Sequence, residues 1–234
     1  MTKKHGKKYL EAIKDLDLKK SYTPEEAIAI LKKIETTKFD SSVEFHAKLE
    51  IDLKKPEQNV RSTLILPKGI GKTKKILAFV TEKDEKQAKE LGVDFFGLEN
   101  MVEKISKGWL GFDIAIATPE TMSKIAKVAK ILGSRKLMPN PKVGTVTTDL
   151  KKTVEEIRKG KIEFRSDSLG GIHSIIGKIS FSQVDLLENF NALYKTLLGV
   201  KPATIKGNYI KSVFISSTMG PGIKIDLSKI KRIV

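Results

Sequence analysis

Few residues in this chain have the types and spacing that covalent chemistry needs. Gly69-Ile70-Gly71-Lys72-Thr73 ends as a phosphate-cradling loop ends. The glycine required five positions before the last one is missing, because Leu66 stands there and Pro67 follows. No helix pattern comes next either, since residues 74–80 read as a strand. The three histidines, His5, His46 and His173, lack a second histidine or a carboxylate at helical metal-ligand spacing, so no metal site is expected. There is no Gly-x-Ser-x-Gly elbow. The absence of cysteine excludes disulfides, thiolate metal clusters and cysteine nucleophiles together. The carboxylate pairs Glu25-Glu26 and Glu155-Glu156 read as first-turn residues of helices, where the macrodipole already accounts for them. The chain therefore predicts no catalytic residue and no cofactor.

Binding has better material. Lys38-Phe39-Asp40-Ser41-Ser42-Val43-Glu44 places a lysine, an aromatic ring and hydroxyls at the start of a strand. Ser212 to Thr218-Met219-Gly220-Pro221-Gly222 reads as a strand entering a tight turn of small residues. Gly220 and Gly222 allow backbone conformations and close approaches that a side chain blocks. Hydroxyls at Ser216, Ser217 and Thr218 suit phosphate and ribose oxygens, including the 2′-hydroxyl that marks RNA. The same residues also suit an ordinary hairpin, with Phe39 in the core and Met219 as an apolar contact beside the turn.

Charge nominates the partner class. The formal net charge is +16, and nucleic acid is the commonest polyanion. Basic residues outnumber acidic ones 14 to 11 in positions 1–66, 19 to 12 in 67–159 and 11 to 5 in 160–234. Lys124, Lys127 and Lys130, spaced three apart, read as a solvated helix face. Aromatic residues make up only 6%, with no basic–aromatic repeat, which argues against a platform that stacks single-stranded bases. Recognition of a folded RNA through backbone, shape and 2′-hydroxyls suits the composition better. The longest apolar runs are strand-sized, so a cytoplasmic protein with no membrane partner is expected.

The elements that must position these residues follow two patterns. Thr23-Pro24-Glu25-Glu26 predicts a capping box opening a helix. Val43, Phe45, Ala47, Leu49, Ile51 and Leu53 alternate with polar residues, as in a sheet with one buried face. The middle instead holds short apolar runs, Ile76–Val80 and Ile114–Ala117, between helix-like stretches at 84–91, 100–107, 120–132 (stopping at Gly133) and 149–159. That is the pattern of βαβ units around a parallel sheet. Alternation returns after Gly160, at Ile162 and Phe164, 172–180, 210–217 and 223–225. A helix capped by Ser182 interrupts it, with Val184, Leu187, Leu193, Tyr194 and Leu197 as its apolar stripe. The expected fold class is α/β (α+β): a discontinuous split α+β domain from both chain ends, 1–66 and 160–234, with an α/β domain inserted at 67–159.

Ordered motifs along most of the chain resemble the bacterial ribosomal protein L-one family. They include Lys38-Phe39-Asp40 with Val43-Glu44, Leu66-Pro67-x-Gly69-x-Gly71-Lys72 and Gly111-Phe112-Asp113 with Ala117-Thr118-Pro119. The most specific is Leu137-Met138-Pro139-Asn140-Pro141-Lys142-x-Gly144-Thr145-Val146. Ile162-Glu163-Phe164-Arg165, Ile176-Gly177-Lys178, Lys201-Pro202 with Lys206-Gly207, and Thr218-Met219-Gly220-Pro221-Gly222 complete the set. The resemblance implies a three-layer, Rossmann-like inserted domain and a first domain that binds the stalk segment of large-subunit rRNA. It further implies a part in movement and release of exit-site tRNA, and repression of the protein's own operon by binding an mRNA site that mimics the rRNA. It implies a ribosome-associated protein that is monomeric off the ribosome. Carried over by motif, the RNA contacts fall on Lys38, Phe39, Ser42, Glu44, Ser212, Thr218, Met219 and Gly220. Lys38 would neutralise phosphate, and Glu44 would face sugar or base donors. Ser134 and Lys136 depart from the family pattern, which more often has proline and glycine there. Two alternatives remain: a basic α/β enzyme acting on nucleic acid, and a nonspecific nucleic-acid-binding module.

Overall fold

The computed structural model describes residues 6–14, 16–18, 20–52, 54–205 and 207–230; His5, Leu53 and Lys206 of the patterns above lie outside the described residues. The chain divides into two compact units, one of residues up to Gly71 and from Gly160 onward, the other of Lys72–Lys159.

The first unit begins with α1 (Lys7–Ala12), α2 (Pro24–Lys33), β1 (Ser42–Leu49) and β2 (Arg61–Ile65). The capping box forms as its residues dictate. Thr23 Oγ1 accepts from the Glu26 N–H at 3.2 Å, and Glu26 accepts from the Thr23 N–H at 3.0 Å. In β1, alternation buries Val43, Phe45, Ala47 and Leu49 and turns the intervening residues outward. The strand ends at Leu49, before the Ile51 of the expected alternation, just past a register shift against β8 between Lys48 and Leu49; the Glu50 N–H still bonds Tyr209 O at 2.9 Å.

The second unit contains β3 (Ile76–Phe79), α3 (Glu82–Glu90), β4 (Phe95–Phe96), α4 (Glu99–Ser106), β5 (Ile114–Ala117), α5 (Met122–Ile125), α6 (Ala129–Ser134) and α7 (Leu150–Arg158). Its three strands are parallel in the order β4-β3-β5. The continuous apolar run of β3 divides between two cores. Ile76 and Ala78 join Ala88 of α3 and Leu150, Val154 and Ile157 of α7; Leu77 and Phe79 join Ile105, Ile125 and Leu132. Helices thus cover both faces, giving the three layers expected of a buried parallel sheet. Glu155 and Glu156 sit in the second half of α7, not its first turn.

The predicted 120–132 helix is broken. A short 3₁₀ turn at Ala126–Val128 separates it into α5 and α6, and another at Pro119–Thr121 takes the place of its start. It also runs past Gly133. The Lys136 N–H bonds Gly133 O at 3.0 Å and the Leu137 N–H bonds Leu132 O at 2.9 Å, a Schellman end. Lys136 therefore occupies the left-handed position, at φ +59°, that glycine usually fills. Lys136 is among the positions named above as departing from the pattern that the resemblance implies.

The chain returns to the first unit with β6 (Lys161–Arg165), β7 (Gly171–Lys178), α8 (Gln183–Gly199), β8 (Ile210–Ser217), β9 (Ile223–Ile225) and α9 (Leu227–Ile230). An antiparallel sheet runs β7-β1-β8-β9, and β2 pairs separately with β6. The inner face of the large sheet shares one core with Ala27, Ile28 and Leu31 of α2 and with Leu186, Phe190, Leu193 and Leu197 of α8. Phe45 and Phe190 meet edge to face, ring centres 5.5 Å apart. Val184, expected in the α8 stripe, is exposed; the buried stripe starts at Leu186.

Asn189, buried on that stripe, explains a shifted boundary. Its Oδ1 accepts from the Lys68 N–H at 3.0 Å, and its Nδ2 donates to Gly69 O at 3.0 Å and Ile176 O at 2.7 Å. Residues 67–71, assigned to the insert from sequence, are held by these bonds in the first unit, so the insert begins at Lys72. Among the described residues, no helix is long and apolar enough to cross a membrane.

Candidate nucleic-acid interface

The outer face of the β7-β1-β8-β9 sheet is uncovered by any helix of the first unit's shared core, and its register arranges polar residues in rows. Directly opposed residues of an antiparallel pair point to the same side. One row holds Ile175, Glu44 and Ser216; the next holds His173, His46, Phe214 and Lys224; the last holds Gly171, Lys48 and Ser212. At the opposite end, Ser42 and Lys178 are paired, and Thr218 lies just beyond β8.

Two loops meet at that end. The Ser42 N–H bonds Thr218 Oγ1 at 3.0 Å, and the Thr218 N–H bonds Ser42 O at 3.0 Å. Lys178 Nζ donates to Ser42 Oγ at 3.0 Å and to Asp40 O at 3.2 Å. The Asp40 carboxylate accepts from the Ser180 N–H and hydroxyl at 3.1 and 2.9 Å. Glu35 braces the loop from below, accepting from the Thr37 N–H at 2.9 Å and Ser41 Oγ at 2.8 Å. Burial pushes its carboxyl upward, but hydrogen bonds from Thr37, Ser41 and Ser217 outweigh that and hold it below the ordinary glutamate value. The loop geometry is thus fixed before any ligand arrives.

Against this frame two apolar side chains stand outward. Phe39 is 57% exposed and Met219 77% exposed. The hairpin alternative, with Phe39 in the core, does not hold. Met219 has φ +71° at the third position of the turn closed by Gly220 N–H to Ser217 O at 2.9 Å. A type II turn prefers glycine or asparagine there, so a methionine is strained by about 1–3 kcal/mol. The left-handed residue of this turn is therefore Met219, not the glycines expected from sequence. Gly220 is needed for a different reason, since a Cβ there would collide with the Ser217 hydroxyl.

The structure brings together Lys38, Phe39, Ser42, Thr218, Met219 and Gly220, with Glu44 one row inward. Ser212 shares the face but stands at its far end, six residues or about 20 Å along β8 from Thr218. Sequence reasoning nominated the Ser216 hydroxyl but missed Lys178 and the His46–His173 pair as members of the same surface, and Ser217, also nominated, is buried. Only the polar phase of each strand signalled them; their rows depend on register between distant segments.

The insert offers a competing location. A cleft of about 510 Å³ opens beyond the carboxyl ends of its strands, where open α/β sheets usually bind ligands. Four glutamates, Glu82, Glu85, Glu99 and Glu120, line it with only Lys83 and Lys124 as cations. That balance disfavours a polyanion. Among the described residues, no group of three or more His, Asp or Glu is arranged to hold a metal ion.

A model of the ribosomal protein L1p/L10e family matches residues 31–221, a span that contains both loops of the outer face. The chain belongs to this family. It is 49% identical over 223 residues to the large ribosomal subunit protein uL1 of Aster yellows witches'-broom phytoplasma, covering 95% of this chain and 97% of the relative. It is 48% identical over 226 residues to the large ribosomal subunit protein uL1 of Fervidobacterium nodosum, covering 96% of each.

Proposed function

We propose that the outer face of the β7-β1-β8-β9 sheet binds the stalk segment of large-subunit rRNA. As a family member the chain is a structural component of the large ribosomal subunit, ribosome-associated in the cytoplasm. The observation that carries the reading is the braced pair of loops, in which Met219 is exposed and strained rather than packed. Backbone strain in an exposed turn points to a ligand that uses the displaced side chain. Lys38 offers a phosphate contact, Ser42 and Thr218 offer hydroxyls, and Glu44 accepts from ribose or base donors. Gly220 keeps the turn narrow, so backbone can approach backbone.

The same surface serves the regulatory role by mimicry: an operon mRNA that presents the stalk's fold would meet the same donors and acceptors, so repression needs no second site. Movement of exit-site tRNA follows from the stalk being held by this protein. Titration with a stalk-rRNA fragment and a scrambled duplex of equal length, across a salt series, tests the reading. Preference for the stalk that persists as salt rises is expected, because directional contacts are screened less than the ionic share. Equal affinity for both RNAs would sink it.

A further inference from the structure

Two histidines meet in the middle row of the same face. His46 Nδ1 and His173 Nδ1 are 2.8 Å apart, although 127 residues separate them in the chain. Their outer nitrogens also have partners. His173 Nε2 lies 3.2 Å from Asp167 Oδ2, and His46 Nε2 lies 3.0 Å from Ser216 Oγ and 3.6 Å from Glu44 Oε2.

The hydrogen inventory of this chain has one solution when both rings are neutral. The Asp167 carboxylate also accepts the N–H groups of Gly171 and Leu169, at 2.6 and 2.8 Å, which keeps it ionised. An ionised carboxylate accepts only, so His173 Nε2 carries its ring's proton and His173 Nδ1 is bare. His46 Nδ1 must then donate across the pair. That leaves His46 Nε2 bare, accepting from the Ser216 hydroxyl and facing Glu44. The next proton has one place to go, because a proton added at the Nδ1–Nδ1 contact would set two donors against each other. It enters at His46 Nε2, pairs with Glu44, and turns Ser216 Oγ from donor to acceptor. The Ser216 hydrogen is then free to point outward.

We propose that His46 and His173 form a proton-responsive pair that positions Glu44 and Ser216, and that His46 takes up a proton when a folded RNA binds this face. The inference rests on the proposed RNA-binding function. In the free protein, burial holds His46 below the ordinary histidine value, with repulsion from His173 adding to it and Glu44 opposing it. The other charged groups in the rows of the face are Asp167, bonded to His173, Lys48, whose ammonium is engaged by Leu169 O, Lys224 at the end of the histidine row, and Lys178, bonded to Ser42 and Asp40 at the far end. Phosphates arriving at the surface favour the imidazolium, so its value rises in the complex. A group whose proton affinity rises on binding makes binding tighter as pH falls through that window.

Affinity for the stalk fragment should therefore rise about threefold to tenfold between pH 7.5 and pH 5.5 in the full-length protein. His46→Gln, which keeps a hydrogen-bonding side chain without the titration, should flatten that profile. His173→Gln removes the repelling neighbour and should move the profile to higher pH. His5→Gln should leave it unchanged. Ring nitrogen shifts in the free protein, read by NMR near neutral pH, should show the Nδ1–H form for His46 and the Nε2–H form for His173. A pH profile that survives His46→Gln overturns the coupling alone. An Nε2–H form for His46 overturns the relay. No binding to the RNA at any pH overturns the functional reading and the coupling with it, while the NMR result still judges the relay.

Discussion

The two main sheets of this chain treat their faces differently. Strands β3, β4 and β5 of the insert are apolar throughout and divide their side chains between two helical layers. Strands β1, β7 and β8 bury one phase under α2 and α8 and leave the other as rows of polar side chains. The insert region, counted from residue 67, carries a basic excess of 7, close to the excess of 9 in the longer first region, yet both faces of its sheet are covered and its cleft is lined by glutamates. Among the motif residues of the open face Lys38 and Glu44 cancel, and its remaining cations, Lys48, Lys178 and Lys224, are spread over separate rows. Overall charge supplies attraction to a polyanion, whereas specificity needs an accessible face with fixed donors and acceptors.

Variants can break this contrast. Ile116→Ala, on β5 in the core shared with α3 and α7, should destabilise the insert by about 2–5 kcal/mol in chemical denaturation. Stalk-RNA affinity measured under native conditions should stay within twofold; a larger loss would mean the insert is not the separate scaffold described. Thr218→Val removes the hydroxyl that locks the Ser42 loop and should weaken RNA binding by about 1–3 kcal/mol. Met219→Gly should do two opposite things, stabilising the first unit by about 1 kcal/mol while weakening RNA binding. If affinity were retained, the strained turn would have no binding role. Lys136→Gly tests the same backbone geometry away from the interface, with a gain of about 1 kcal/mol in insert stability and no change in RNA affinity. Smallest of all, Lys38→Ala should reduce the slope of log affinity against log salt by about one, and Lys124→Ala, whose ammonium pairs with Glu99, should lower affinity by less than about 0.5 kcal/mol.

Much of this contrast was legible in the residues. Period two in β1 and continuous runs in β3 and β5 distinguished a half-open sheet from a buried one, because alternation reports how many faces are covered. The capping box of α2 was local and formed as read. What sequence could not show depended on contacts far apart in the chain. Residues 67–71 carry no signal for the Asn189 side chain that holds them. The 120–132 segment has helical periodicity but not the 3₁₀ turns that break it. Val184 fits a helical stripe by type, and tertiary packing chose Leu186 instead. At the candidate site, the motif-bearing loops were found, but Ser212 fell at the far end of the face. The His46–His173 pair stayed hidden because only the β1–β7 register makes the two residues neighbours.

The order of strands in the first unit has a consequence for how the chain is made. β1 pairs with β7 and β8, and β2 pairs with β6, so neither has a ladder partner before residue 160. A ribosome delivers the chain from its N-terminus, and domains generally fold as units while it emerges. The insert is contiguous and can close as soon as it is complete. The first strands must wait through its entire synthesis with their edges unpaired. Thr218 then joins Ser42 only after β8 has appeared, so a chain stopped before it lacks the surface proposed to face RNA. The arrangement ties the proposed RNA binding to synthesis of β8 and the turn that follows it.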